Sequence, residues 1–78
     1  MTQVILPELG EGITKATISY WYFKIGDKVE GGQDLVEMAT DKAVFNVPSP
    51  VSGVLKEIYF NEAEVVEVGK VLAEIEEQ

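Results

Sequence analysis

At 78 residues the chain is expected to form one domain over residues 1–78, and a domain this small buries only about 60–65% of the surface its unfolded form exposes, which leaves little room for a deep catalytic pocket. With 46% apolar residues and neither Cys nor His, the chain should fold, but without disulfides, thiolate or imidazole metal sites, a cysteine nucleophile or a histidine base. A formal net charge of −8 argues against nucleic acid and anionic membranes as partners, and no apolar run approaches the roughly 20 residues of a membrane-spanning helix.

The elements are read in chain order. Met1-Thr2-Gln3 lacks the basic start of a signal peptide. A first strand is predicted at Gln3–Leu6, followed after Pro7 by Glu8-Leu9-Gly10-Glu11-Gly12, which has no strand pattern. A second strand at Ala16–Lys24 contains Trp21-Tyr22-Phe23. Those rings could stack on bases, but their strand position and the acidic charge assign them to core packing. Gly26-Asp27 and Gly31-Gly32 mark turns. Strands at Leu35–Ala39 and Ala43–Val47 flank Thr40-Asp41-Lys42, the pattern of a hairpin. Pro48 and Pro50 mark an edge strand or a crossover. Gly53–Phe60 reads as a strand, Glu62–Val68 as a turn plus extended chain, and Val71–Glu76 as a final strand. In that last strand Val71, Ala73 and Ile75 are expected on one face, and Leu72, Glu74 and Glu76 on the other. No segment carries a helical period with caps. Short strands punctuated by turn residues define an all-β sandwich or barrel.

The chain also repeats itself. A shift of 37 positions lays Trp21-Tyr22-Phe23 on Ile58-Tyr59-Phe60, Val29-Glu30 on Val66-Glu67, Gly32 on Gly69, Leu35 on Leu72 and Glu37 on Glu74. Two half-domains related by a pseudo-twofold axis follow, with Gly32 and Gly69 in matching turns that need positive φ. In such an arrangement the hairpin tip and the two chain ends occupy opposite poles. Val47-Pro48 resembles Leu6-Pro7 at a shift of 41, so the first half is expected to hold about four extra residues around Glu8–Gly12. Loops that exceed what a fold needs often carry recognition.

Lys42 is the residue of most chemical interest. Two-residue hairpin turns favour Asn-Gly or Asp-Gly, because φ is positive there. Lys is not what turn chemistry would choose, and it is expected to project its ammonium into solvent, within reach of a modifying enzyme. A lysine in an exposed turn is most often only a solubilising charge. Glu8, Glu11 and Asp41 could cluster near the tip, but paired-carboxylate catalysis needs a cleft. Gly10-Glu11-Gly12 lacks the spacing of a phosphate loop.

Taken in order, Leu6-Pro7-Glu8-Leu9-Gly10-Glu11-Gly12-Ile13, Asp41-Lys42-Ala43, Pro48-Ser49-Pro50-Val51-Ser52-Gly53 and Val68-Gly69-Lys70 resemble the lipoyl domain of the acyltransferase component of a 2-oxo acid dehydrogenase complex. Gly10-Glu11-Gly12-Ile13 is closer to the pyruvate and branched-chain types than to the 2-oxoglutarate type. Ala39 departs from the acidic residue that many relatives place before Thr-Asp-Lys. The resemblance implies a flattened barrel of two four-stranded antiparallel sheets and a non-catalytic, monomeric carrier. Its cofactor would be lipoate in amide linkage to Lys42, attached by a lipoate ligase or lipoyl transferase. Asp41 and Ala43 would flank the site for recognition, and Glu8, Leu9, Gly10, Glu11 and Gly12 would be read by a thiamin-diphosphate-dependent 2-oxo acid decarboxylase. The acyltransferase core and a dihydrolipoyl dehydrogenase would be the further partners. The setting would be cytoplasmic in a prokaryote and the mitochondrial matrix in a eukaryote. A biotinyl carrier shares the fold but has Met on both sides of its lysine. An unmodified interaction module of the same fold is the other alternative.

Overall fold

The computed structural model describes residues 1–78 and contains eight strands and no helix. They are β1 (Thr2–Ile5), β2 (Lys15–Trp21), β3 (Lys28–Val29), β4 (Asp34–Ala39), β5 (Val44–Pro48), β6 (Gly53–Ile58), β7 (Val65–Glu67) and β8 (Val71–Glu77). Two four-stranded sheets form, in the orders β1-β8-β6-β3 and β5-β4-β2-β7, with every pairing antiparallel. The expected flattened barrel is therefore present. Strand alternation sends Val4, Ile18, Val29, Val36, Met38, Val47, Leu55, Val66 and Ile75 into one core between the sheets, with Leu6, Leu35 and Leu72 fully buried among them.

The repeat is visible bond by bond. Tyr22 N–H donates to the Leu35 carbonyl at 2.8 Å, and 37 residues on Tyr59 N–H donates to Leu72 at 2.9 Å. Asp27 Oδ2 accepts from Lys24 N–H at 2.9 Å, as Glu64 Oε1 accepts from Asn61 N–H at 2.6 Å. Gly32 and Gly69 share a φ of 92°. The irregularities repeat too. Ser19 and Lys56 are the extra residues of bulges in β2 and β6, and Leu35 and Leu72 those in β4 and β8.

Several expectations need correction. Lys28–Val29 is a two-residue strand pairing with β6, and the extended part of Glu62–Val68, which follows the expected turn, is a true strand, β7, pairing with β2. Leu72 does not share a face with Glu74 and Glu76: its bulge turns it into the core beside Ala73. Trp21 and Phe23 pack against the core, but Tyr22 is exposed and meets Tyr20 edge to face at 5.3 Å. The extra loop is also larger than the Leu6-Pro7 alignment suggests. Leu6 N–H donates to Lys70 as Ser49 N–H donates to Gln33, which makes Ser49 the counterpart of Leu6 at a shift of 43. Against the repeat of 37 the first half therefore holds six extra residues, all between Leu6 and Lys15.

The opposite poles are as expected. Gln78 N–H donates to the Ser52 carbonyl at 3.2 Å, Ser52 Oγ accepts from Gly31 N–H at 2.9 Å, and the adjoining Gly32 N–H donates to Ser49 at 2.8 Å. Ser49 follows β5 directly, so the C-terminus lies at the base of the β4–β5 hairpin. Thr2 pairs with Ile75, which brings the N-terminus to the same end. Lys42 sits at the far tip.

Candidate functional site

The tip is built on the last ladder pair of the hairpin, Ala39 with Val44. Met38 and Val36 anchor β4 in the core, and edge strand β5 ends where Pro48 faces Asp34. Beyond Ala39, Thr40 N–H donates to the Ala43 carbonyl at 2.8 Å, leaving Asp41 and Lys42 as a two-residue turn. Neither has positive φ; Ala63 is the one non-glycine residue that does. The turn is therefore not of the type that two-residue hairpins favour.

The Thr40 side chain supplies what that geometry lacks. Its Oγ1 accepts from Lys42 N–H at 3.2 Å and from Ala43 N–H at 3.1 Å, and lies 3.3 Å from the Ala43 carbonyl, to which it donates. Ala43 N–H, which would complete the ladder with the Thr40 carbonyl in a regular hairpin, is satisfied by the hydroxyl instead. Sequence reasoning passed over Thr40, although Ser and Thr hydroxyls that cap a turn two or three residues on are a known local signal.

Lys42, Asp41 and Ala43 are all exposed. The single ion pair of the protein joins Lys56 to Glu76 at 3.4 Å, so no carboxylate holds the Lys42 ammonium. The Lys42 amine therefore stands exposed and without an ion-pair partner at the apex of the hairpin.

The enlarged loop reaches the tip only in part. Gly12 and Ile13 lead into β2 and line a shallow open groove of about 590 Å³ together with Thr17, Ala39, Asp41 and Lys42. Glu8 and Gly10 line a neighbouring groove beside Glu67 and Val68. Ile13 N–H donates to the Gly10 carbonyl at 3.2 Å, closing a turn in which Gly12 has a φ of 80° and Glu11 stands exposed at the apex. Leu9 is half-buried and packs against the core, so it anchors the loop rather than presenting itself to a partner. Glu8, Glu11 and Asp41 form no three-carboxylate group able to hold a metal ion.

Two tyrosines carry the perturbed acidities. A hydrogen bond to Glu74, at 2.5 Å, is the main cause that raises the Tyr59 hydroxyl above its ordinary value, helped by partial desolvation. Tyr22 is raised chiefly by desolvation, then by the Glu37 carboxylate, while its bond to Asn46 opposes the shift. Tyr22 follows β2 and Tyr59 follows β6, and neither lines the groove that contains Lys42.

Comparison with known proteins places this geometry among relatives. The model of the family described as biotin-requiring enzyme matches residues 2–75. The chain is 46% identical over 74 residues to the dihydrolipoyllysine-residue acetyltransferase component of the pyruvate dehydrogenase complex of Corynebacterium glutamicum, covering 95% of this chain and 11% of that one. It is 44% identical over 75 residues to the dihydrolipoyllysine-residue succinyltransferase component of the 2-oxoglutarate dehydrogenase complex of Bartonella vinsonii subsp. berkhoffii, covering 96% and 18%. The chain thus spans less than a fifth of these relatives, and acetyl- and succinyltransferase components match it almost equally. Its fold superposes with a TM-score of 0.78 on the solution structure of the lipoyl domain of the 2-oxoglutarate dehydrogenase complex of Azotobacter vinelandii, at 32% identity over 96% of this chain and 95% of that one.

Proposed function

Because the chain belongs to the biotin-requiring enzyme family, as a lipoyl domain of the kind found in 2-oxo acid dehydrogenase acyltransferase components, we propose that it carries lipoate in amide linkage on Lys42 and presents it to successive active sites. The observation that carries this reading is the unpaired Lys42 amine at the apex of a hairpin tied down by Thr40. Acylation from an activated donor on a lipoate ligase or lipoyl transferase forms the amide and removes one positive charge, taking the formal charge from −8 to −9.

When bound, lipoate supplies a disulfide and dithiol that accept, hold and release an acyl group, chemistry that a chain without Cys or His cannot supply itself. The protein's part is placement. The rigid sheet holds the attachment point at the pole opposite the chain ends, and attachment to a mobile domain raises the effective concentration of the group at each site it visits. Glu11, at the exposed apex of the Gly10–Ile13 turn, and Asp41 and Ala43, beside the lysine, are the side chains a thiamin-diphosphate-dependent 2-oxo acid decarboxylase would read. A pyruvate or branched-chain parent is supported by the sequence of Gly10-Glu11-Gly12-Ile13 alone, since acetyl- and succinyltransferase components match the chain almost equally. The acyltransferase core and dihydrolipoyl dehydrogenase complete the cycle.

Intact mass after co-expression with an active lipoate ligase tests the proposal. A lipoyl increment in the native chain, absent from Lys42→Arg, is expected. A biotin increment, or an unmodified chain beside an active ligase, would sink it.

A further inference from the structure

We propose that Thr40 is a positioning residue for Lys42, its hydroxyl holding the turn in the one conformation from which the amine is acylated; this rests on the lipoyl-carrier reading above. The two-residue connection runs without positive φ at Asp41 or Lys42. Such a turn does not follow the twist of the flanking strands, and hairpins normally avoid it through residues that adopt positive φ. Here it persists because Thr40 Oγ1 takes the place of a backbone acceptor for both Lys42 N–H at 3.2 Å and Ala43 N–H at 3.1 Å. The same oxygen donates to the Ala43 carbonyl at 3.3 Å, so one hydroxyl ties both flanks of Lys42 to the end of β4.

Removing the hydroxyl leaves two amides at the apex without a partner in the protein. They turn to water, and the turn samples conformers in which the Lys42 Cα–Cβ bond points elsewhere. An enzyme that acylates only the ordered form must then restore it on binding, which raises KM and leaves kcat nearly unchanged. A purely structural residue would lower thermal stability without that split. Thr40 is half-buried, and valine has its shape and an equal liking for strands, so the substitution should not disturb the sheet.

The test uses Thr40→Val and Thr40→Ser with a lipoate ligase, lipoate and ATP, following the lipoyl mass increment with time. Thr40→Val is expected to lower kcat/KM about tenfold through KM, while Thr40→Ser stays within about twofold of the native chain. Amide exchange at Lys42 and Ala43 should quicken in Thr40→Val and not in Thr40→Ser, with the unfolding midpoint little changed in both. Equal kcat/KM in Thr40→Val and the native chain overturns the inference, as does a loss that serine fails to rescue. A native chain that takes no lipoyl increment overturns the carrier reading itself, so the two failures are distinguishable.

Discussion

Ala63 repeats the backbone of Gly26. Ala63 N–H donates to the Ile18 carbonyl at 2.8 Å and Gly26 N–H to the Leu55 carbonyl at 2.7 Å, extending the β7–β2 and β3–β6 pairings at symmetric places, with φ of 74° and 98°. Glycine adopts such angles without penalty, whereas an L side chain costs about 1–2 kcal/mol there. Ala63→Gly is therefore expected to raise stability by up to about 1 kcal/mol, the gain being reduced by the extra freedom of the unfolded chain. Gly26→Ala, where an added Cβ meets nothing within 4 Å, should lower it by a similar amount. Urea midpoints at constant m would show both, and a destabilised Ala63→Gly would contradict the backbone assignment.

Gly53 is a different kind of glycine. A Cβ added there would lie 2.1 Å from the Glu76 carbonyl oxygen and 2.8 Å from its carbon, both main chain of the paired β8. β6 and β8 cannot separate without breaking the sheet that closes the core. Gly53→Ala should cost about 3 kcal/mol or more, seen as a large fall in midpoint or loss of soluble protein. A near-native midpoint would show that this strand pair yields.

Leu9 and Glu11 divide the enlarged loop between support and display. Leu9→Ala should lower stability by about 1 kcal/mol, since its side chain is half-buried against the core. Glu11→Ala, at the exposed turn apex, should leave stability within about 0.5 kcal/mol and lipoylation unchanged. It should reduce reductive acylation of the lipoylated domain by a pyruvate or branched-chain decarboxylase. Equal acylation rates would remove Glu11 from the recognition surface. Deleting the loop is the poorer experiment, because it takes Leu9 out of the core at the same time.

Tyr59 and Tyr22 should ionise above the usual 10.0, measured by ultraviolet difference absorbance during alkaline titration. For each, the folded-state value is raised, so the neutral hydroxyl is the favoured form. The associated stability is present below pH 10 and is lost as pH climbs through the raised value. Glu74→Gln removes the charge that accepts from Tyr59 and should bring that titration down. A Tyr59 midpoint at or below 10.0 in the native chain would contradict the Glu74 interaction.

Much of this fold is legible in the sequence. Alternation and turn residues located six of the strands, and the 37-residue shift predicted the symmetry, the twin glycine turns and the position of Lys42 opposite the chain ends. The misses have physical causes. Lys28–Val29 is too short to show any period, and Val65–Glu67 sits among acidic neighbours that resemble a loop. Strict alternation puts Leu72 on the outer face, because it assumes that no residue is inserted. The adjacent apolar pair Leu35-Val36 at the matching place in the repeat carried the hint. The loop's true length depended on pairing Ser49 with Leu6, and Leu6-Pro7 invited the wrong partner two residues away. At the site, Lys42, Asp41 and Ala43 came from position and resemblance. Thr40 was missed because hairpin rules look for positive φ, and this turn relies on a side-chain acceptor.

The bulge at Leu35 also decides which residue stands at the hairpin apex. Alternation alone cannot tell a correct β4–β5 pairing from one displaced by two residues, since both keep apolar side chains inward. A displaced pairing would carry Lys42 down the flank of the ribbon and bring a neighbour to its end. Leu35 has no partner on β5, and with Val36 it sets two consecutive side chains in the core, an arrangement that a displaced pairing would break. It acts as an index mark on an otherwise repetitive scale. An aliphatic residue at the base of the hairpin, far from any chemistry, thereby helps to ensure that the amine offered at the other end is always the same one.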